Sequence, residues 1–157
     1  MRYLVCLALF FILDAQTQIL KEKTMVGRIE WVQLPDLKLR FRSRIDTGAK
    51  TTSLHAFDIK EEMRDGILWV RFKTRDEEGK EVELTRKVES VQKVANAGGA
   101  STKRYVIREK IKLGPQEKEI ALNLNDREKM TYKFLVGRNL LLGLFTVDVA
   151  RSHVLGD

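Results

Sequence analysis

Leu37-Lys38-Leu39-Arg40-Phe41-Arg42-Ser43-Arg44-Ile45-Asp46-Thr47-Gly48-Ala49 is the stretch whose reading decides the fold. In an extended chain Leu37, Leu39, Phe41 and Ile45 fall on one face, and Lys38, Arg40, Arg42 and Arg44 on the other. That alternation is the signature of a half-buried strand; a helix would scatter the cations around its axis. The basic ladder reads either as a solvated face or as an anion-binding stripe. The strand then runs into Asp46-Thr47-Gly48, where an acid and a hydroxyl meet a glycine that permits a tight turn.

The same strand grammar extends outward. Upstream, Ile29, Trp31 and Gln33 alternate with Arg28, Glu30 and Val32 until Pro35-Asp36 breaks the run. Downstream, 53–59 and 67–72 are rich in β-formers, with Asp65-Gly66 as the turn between them. Residues 75–80 (RDEEGK) form a charged hairpin tip, and 96–101 (NAGGAS) a small, uncharged one. Tyr105-Val106-Ile107 returns as a strand, and Gly114-Pro115 turns the chain into Ile120, Leu122 and Leu124. Residues 125–129 read as a polar loop or a short helical turn, and Phe134-Leu135-Val136 as a buried strand. Gly137 to Leu141 suits one helical turn, and 145–149 closes the set. Many short strands with frequent turns predict an all-β fold, a closed barrel with one short helical turn.

Composition narrows the class. The chain has 43% hydrophobic and 32% charged residues, which excludes disorder. Only two prolines and no Gly/Ser linker interrupt it, so 27–157 is expected to be one domain. With 29 Lys+Arg against 22 Asp+Glu the net charge is +7, which favours anionic partners or simply aids solubility. The cations are dispersed and carry no nucleic-acid motif, so no nucleic-acid partner is expected. Cys6 is the sole cysteine, which rules out a disulfide framework or a Cys-based zinc site elsewhere.

Residues 1–26 read as a signal peptide or N-terminal anchor followed by a polar connector. Arg2 precedes the apolar run Tyr3 to Leu13, which is shorter than the roughly 20 residues needed to span a bilayer. Cleavage after Ala15 would place a large Leu13 at the third position before the cut. A signal peptide implies an exported chain, periplasmic or secreted. An uncleaved segment is the only membrane contact expected. A buried N-terminal element would instead leave the chain cytoplasmic.

The chemistry centres on Asp46. Aspartic hydrolases use two carboxylates that share one proton, because neighbours about 3 Å apart cannot both ionise. One activates water and the other polarises the scissile carbonyl. This chain has one Asp-Thr-Gly, so the dyad is expected from Asp46 of two chains in a homodimer. Thr47 and Gly48 would brace it. The Asn96, Gly98 and Gly99 turn is placed to serve as a lid, with Ala49 beside the substrate. Gly137 and Arg138 follow an apolar run suited to pack behind the turn.

Asp46-Thr47-Gly48-Ala49 and 134–141 (FLVGRNLL) resemble the catalytic motif and the apolar-Gly-Arg-Asn-Leu-Leu segment of the retropepsins. More closely, the chain resembles the bacterial family called ATP-dependent zinc proteases, the RimB-like retropepsin-type endopeptidases. The residues that carry this are Gly27-Arg28, Glu30-Trp31-Val32, Asp46 to Thr51, Ser53 to Ala56, Arg104 to Arg108, Gly137-Arg138 and the segment from Asp148 to Gly156. The resemblance implies a retropepsin-like fold and peptidase activity through Asp46. Its members' association with glutamate ligases implies glutamylated substrates, in keeping with Arg40, Arg42 and Arg44 as an acidic-peptide grip. Viral retropepsins carry an acid after Asp-Thr-Gly-Ala that pairs with the later Arg. Here that position is Lys50, so Arg138 must find another partner or face substrate.

Two rivals remain in view: a non-catalytic module for acidic peptides on the same fold, and a zinc-dependent peptidase. The sequence has no His-Glu-x-x-His and only His55 and His153, so no metal is expected. His55 with Asp58 is a thin constellation. No phosphate-binding glycine loop is present, and no cofactor is expected. Ser53 and His55 lack an activating acid or oxyanion element.

Overall fold

The computed structural model describes residues 22–95 and 101–156. The N-terminal apolar run, with its signal or anchor expectation, and the Asn96, Gly98 and Gly99 lid lie outside the described residues. Twelve strands are described: Thr24–Gly27 (β1), Ile29–Leu34 (β2), Leu39–Ile45 (β3), Thr52–His55 (β4), Phe57–Arg64 (β5), Ile67–Arg75 (β6), Glu81–Lys87 (β7), Ser90–Ala95 (β8), Ser101–Leu113 (β9), Gln116–Asn125 (β10), Phe134–Val136 (β11) and Phe145–Asp148 (β12). Arg138–Leu141 (α1) is the expected single helical turn.

Leu39, Phe41, Ser43 and Ile45 of β3 point inward and Arg40, Arg42 and Arg44 outward, as the alternation requires. The strand begins at Leu39 rather than at Leu37. Pro35, with its fixed φ, starts a 3-10 turn over Pro35–Leu37, and Lys38 closes it in the left-handed region at φ 53°. On β2 the buried face is Glu30, Val32 and Leu34, so a carboxylate occupies a core-facing position. The strand expected over 53–59 is two, because β4 ends at His55 and β5 starts at Phe57.

The main sheet has the order β10-β4-β11-β3-β2-β9-β8, and β9 also pairs with β10. Strand β11 is inserted between β3, to which it is parallel, and β4, to which it is antiparallel. The all-β, retropepsin-like expectation holds, but the barrel is not a clean one. Closure of the ring rests on only Val32↔Leu113 and Gln33↔Lys112 between β2 and β9. The reason lies in the length of β9, which is 13 residues. Its first part pairs with β8, its later part with β10, and only its end reaches β2. Strands β5, β6 and β7 form a separate antiparallel sheet, and β1 pairs in parallel with β12. Glu61 of β5 meets Lys103 and Tyr105 of β9, linking that sheet to the base of the β8–β9 hairpin.

The core lies inside the ring. Phe41 and Phe134 pack with ring centroids 5.4 Å apart among Leu54, Ile107, Leu122 and Val136. Burying each such side chain contributes about 1.5–3 kcal/mol. Both strands flanking the Asp46 turn, β3 and β4, are thus anchored in the hydrophobic core through Leu39, Phe41, Ile45 and Leu54. Among the described residues no helix is long and apolar enough to cross a membrane.

Candidate active site

Asp46 follows β3, and its N–H donates to the Val136 carbonyl at 2.9 Å. This ties the turn to the end of β11. The Asp46 carboxylate is held asymmetrically. Its Oδ1 accepts from the N–H groups of Gly48 at 2.9 Å and Ala49 at 3.1 Å. Among the described residues its Oδ2 makes no hydrogen bond, so only one of the two oxygens is anchored. A Cβ on residue 48 would come within 3.2 Å of Oδ1, which crowds this anchor.

The segment after β11 braces the turn from behind. The main-chain N–H of Arg138 donates to the Ala49 carbonyl at 2.9 Å, and that of Asn139 to Lys50 at 3.3 Å. Asn139 Oδ1 accepts from both the N–H (2.8 Å) and the hydroxyl (2.7 Å) of Thr52, and its Nδ2 donates to the Ala121 carbonyl at 2.8 Å. Gly137 N–H donates to Thr52 Oγ1 at 3.1 Å. Residue 137 must be glycine for contact reasons: a Cβ there would sit 2.7 Å from the Thr51 carbonyl carbon. Arg138 finds its partners in the turn's own main chain, the carbonyls of Thr47 and Gly48. Within one chain the Thr47 carbonyl, rather than its hydroxyl, carries this brace.

Asp46 opens onto two adjoining clefts. One, of about 620 Å³, is lined by Arg28, Ile29, Arg44, Thr47, Tyr132 and Val149 beside Asp46. The other, of about 490 Å³, adds Arg127, Lys129, Met130 and Leu135 to Arg44, Asp46 and Tyr132. A third, of about 560 Å³, lies against Ala49, Lys50 and Thr51 and includes Lys93 and Arg104. The lone carboxylate therefore sits in a cationic surround that attracts anionic ligands. The basic ladder divides its labour. Arg44 lines both Asp46 clefts, Arg42 lies over the Tyr132 ring at 5.5 Å, and Arg40 over Trp31 at 4.1 Å.

His55 is a buried, hydrogen-bonded histidine. Its Nδ1 accepts from the Arg127 N–H at 3.0 Å, and its Nε2 faces the Glu128 carboxylate at 3.2 Å. Burial, followed by the charge of Lys133, pushes its pKa below the ordinary value, with Glu128 and Asp126 opposing. Asp58 faces Lys73 at 3.6 Å instead of His55. Among the described residues no group of three His, Cys, Asp or Glu side chains converges to hold a metal.

Three participants escaped the sequence reading. Arg127 comes from a polar loop and lines a cleft with Asp46, and Arg104 comes from a strand interior and lines the cleft against Ala49, Lys50 and Thr51. The Asn139 brace had a visible signal in the Gly-Arg-Asn run.

A braced Asp-Thr-Gly turn between β3 and β4, backed by the inserted strand β11, is a retropepsin-like arrangement. A family model described as "RimB-like: Retropepsin-like aspartic endopeptidase RimB" matches residues 25–156, and the chain belongs to that family. It is similar to proteins named "Probable alpha-L-glutamate ligase". The one from Parasynechococcus marenigrum is 39% identical over 139 residues, 86% of this chain and 30% of that protein. The one from Desulfotalea psychrophila is 34% identical over the same shares. The chain thus spans less than a third of the length of these relatives. A crystal structure of a Legionella pneumophila protein of unknown function superposes with a TM-score of 0.70 at 31% identity, covering 85% of this chain and 99% of that one.

Proposed function

We propose that the chain is an aspartic endopeptidase acting as a homodimer on acidic or glutamylated peptides. The observation that carries this is the state of the Asp46 carboxylate. Its Oδ1 is anchored by Gly48 and Ala49, its Oδ2 has no hydrogen bond among the described residues, and Asp46 lines clefts together with Arg28, Arg44, Arg127 and Lys129. In the dimer, the two Asp46 carboxylates share one proton. The ionised member takes a proton from water, and the resulting hydroxide adds to the scissile carbonyl carbon. The protonated member donates a hydrogen bond to the carbonyl oxygen as negative charge develops there. Collapse of the tetrahedral intermediate breaks the C–N bond, and the proton passes to the leaving amine. The dimer, the dyad and the substrate class are parts of this proposal. The name borne by the longer relatives supports glutamyl chemistry for the substrate.

The test is incubation of purified protein with glutamate-rich peptides, with new termini read by mass spectrometry. Asp46→Asn is expected to lower the rate by about 10²–10⁴ or more, since it removes the base. An Asp46→Asn protein that cleaves as well as wild type sinks the reading. Loss of cleavage to a chelator with recovery on added zinc would point to the zinc-dependent alternative. The same cationic clefts favour a second reading, a non-catalytic module that grips acidic peptides. Tight binding of a glutamyl peptide with no product formed decides for that module.

A further inference from the structure

Arg64, Arg71, Arg75, Arg86 and Arg108 each pair with a glutamate. The arginines most withdrawn from solvent near the site do not. Arg127 is 7% exposed, and Arg104 is half-buried with its Nε fully enclosed and unbonded. Among the described residues neither makes an ion pair. A buried guanidinium normally has a carboxylate, because desolvation of an unpaired charge is costly. Both stand beside the catalytic turn. Arg127 lines a cleft with Asp46, and Arg104 lines the neighbouring cleft with Ala49, Lys50 and Thr51.

We infer that Arg104 and Arg127 receive a carboxylate of the substrate next to the bond hydrolysed by the water that Asp46 activates, and so determine specificity for acidic over neutral residues. This rests on the peptidase reading for the identity of the bond, while the carboxylate site stands on the two arginines themselves. Arg127 is preset for the task. Its Nε donates to the Tyr132 carbonyl at 2.9 Å and its N–H to His55 Nδ1 at 3.0 Å, which leaves its terminal nitrogens for a ligand. Burial pushes the Arg127 guanidinium down, the charge of Arg104 pushes it further, and Asp46 opposes both. Burial likewise lowers Arg104. Arg127 thus feels the charge of Arg104 with Asp46 as the opposing carboxylate, Arg104 is lowered by burial, and an added anion would relieve both. A guanidinium fork matches a carboxylate in plane and spacing. A glutaminyl peptide would fill the same space but leave the buried charges unpaired, which is a strong basis for rejection.

The experiment uses full-length Asp46→Asn protein, so that binding is measured apart from cleavage. Fluorescently labelled, C-terminally amidated glutamyl peptides and their glutaminyl counterparts are titrated by anisotropy. The glutamyl peptide is expected to bind about tenfold tighter or better, and Arg104→Gln to remove most of that ratio. Arg127→Lys, which keeps the charge but not the fork, is expected to reduce the ratio in part. A folded Arg104→Gln protein that keeps the full ratio, or that weakens both peptides equally, overturns the inference. Uncapped peptides separate the two sources of carboxylate. A ratio present in capped peptides assigns the side chain; a gain confined to free C-termini and lost in Arg104→Gln assigns the chain end, and either supports the site. Absence of cleavage by wild type with the ratio intact fails the peptidase reading alone. Cleavage without any ratio fails this inference alone.

Discussion

Arg138 Nη1 donates to the carbonyls of Thr47 at 3.0 Å and of Gly48 at 2.7 Å, across 90 residues of sequence to the latter. A side chain from α1 thus holds the Asp46 turn through its main chain, with no hydrogen bond to the Asp46 carboxylate. In viral retropepsins an acid after the motif takes the corresponding arginine, and Lys50 makes that impossible here. Bonds from a charged donor contribute about 1.5–3 kcal/mol when buried, and these are partly exposed. Arg138→Ala is expected to cost about 1–2 kcal/mol in urea denaturation and to lower kcat/KM on a cleaved glutamyl peptide by about tenfold or more through misplacement of Asp46. Arg138→Lys should recover part of both. Faster hydrogen exchange at the Gly48 and Ala49 amides, which bind Oδ1, is the structural check. Unchanged exchange would show that the turn stands without Arg138.

Gly137→Ala tests the seating of the segment behind the turn. The added methyl would meet the Thr51 carbonyl carbon at 2.7 Å, its oxygen at 2.9 Å and the Thr52 nitrogen at 2.9 Å. All are main-chain atoms, so no side chain can swing aside. Overpacking of this kind costs about 1–3 kcal/mol. Denaturant midpoints should fall accordingly, and activity should fall with them because Thr52 and Asn139 are displaced together. A variant of wild-type stability would mean that β4 and β11 can separate at no cost.

Glu30 offers a test far from the chemistry. Its side chain is fully buried, Oε1 accepts from the N–H groups of Gly27 at 2.6 Å and Val154 at 2.9 Å, and Oε2 accepts from Leu155 at 3.3 Å. The carboxylate therefore ties the C-terminal segment to β1 and β2. Glu30→Gln turns one acceptor into a donor facing a donor, and about 1–3 kcal/mol should be lost. Glu30→Ala leaves all three N–H groups unmet and should cost more. Loss of exchange protection at Val154 and Leu155, with protection in β3 retained, distinguishes this clasp from global destabilisation.

The contrast between β3 and Glu30 shows what was legible. The β3 alternation, the Asp46 turn, the 134–141 segment and the single helical turn are local patterns, and the chain displays them in consecutive residues. The core position of Glu30 was not legible, because its partners at Val154 and Leu155 are remote in sequence. Burial of a charged side chain is decided by tertiary partners, which override strand alternation. The same applies to the split roles of Arg40, Arg42 and Arg44: one stripe by pattern, but Trp31 and Tyr132 capture two of them. Ring closure through β9 depends on how one long strand shares its edges, which no periodicity encodes. The placing of Arg104 and Arg127 beside the Asp46 turn was not legible for a related reason. An arginine without a partner differs from a paired one only in three dimensions.

His55 links pH to the Arg127 site. Because Nδ1 accepts from the Arg127 N–H, the ring proton lies on Nε2, toward Glu128. A second proton would have to enter at Nδ1 and break that bond. Burial and Lys133 place the folded-state pKa below the ordinary 6.5, so the unfolded chain protonates first as pH falls. Between 6.5 and the lowered folded value the unfolded state binds more protons, and stability falls with pH through that window. Above it this contribution is constant, and below the folded value the loss levels off. His55→Gln should remove this component, flattening the fall of the denaturation midpoint as pH drops below 6.5 relative to wild type. Binding of a capped glutamyl peptide to Asp46→Asn protein should weaken over the same window, since protonation unseats Arg127. That weakening should be smaller in the His55→Gln background. Equal pH slopes with and without His55 would locate the dependence in the substrate carboxylates and remove His55 from the argument.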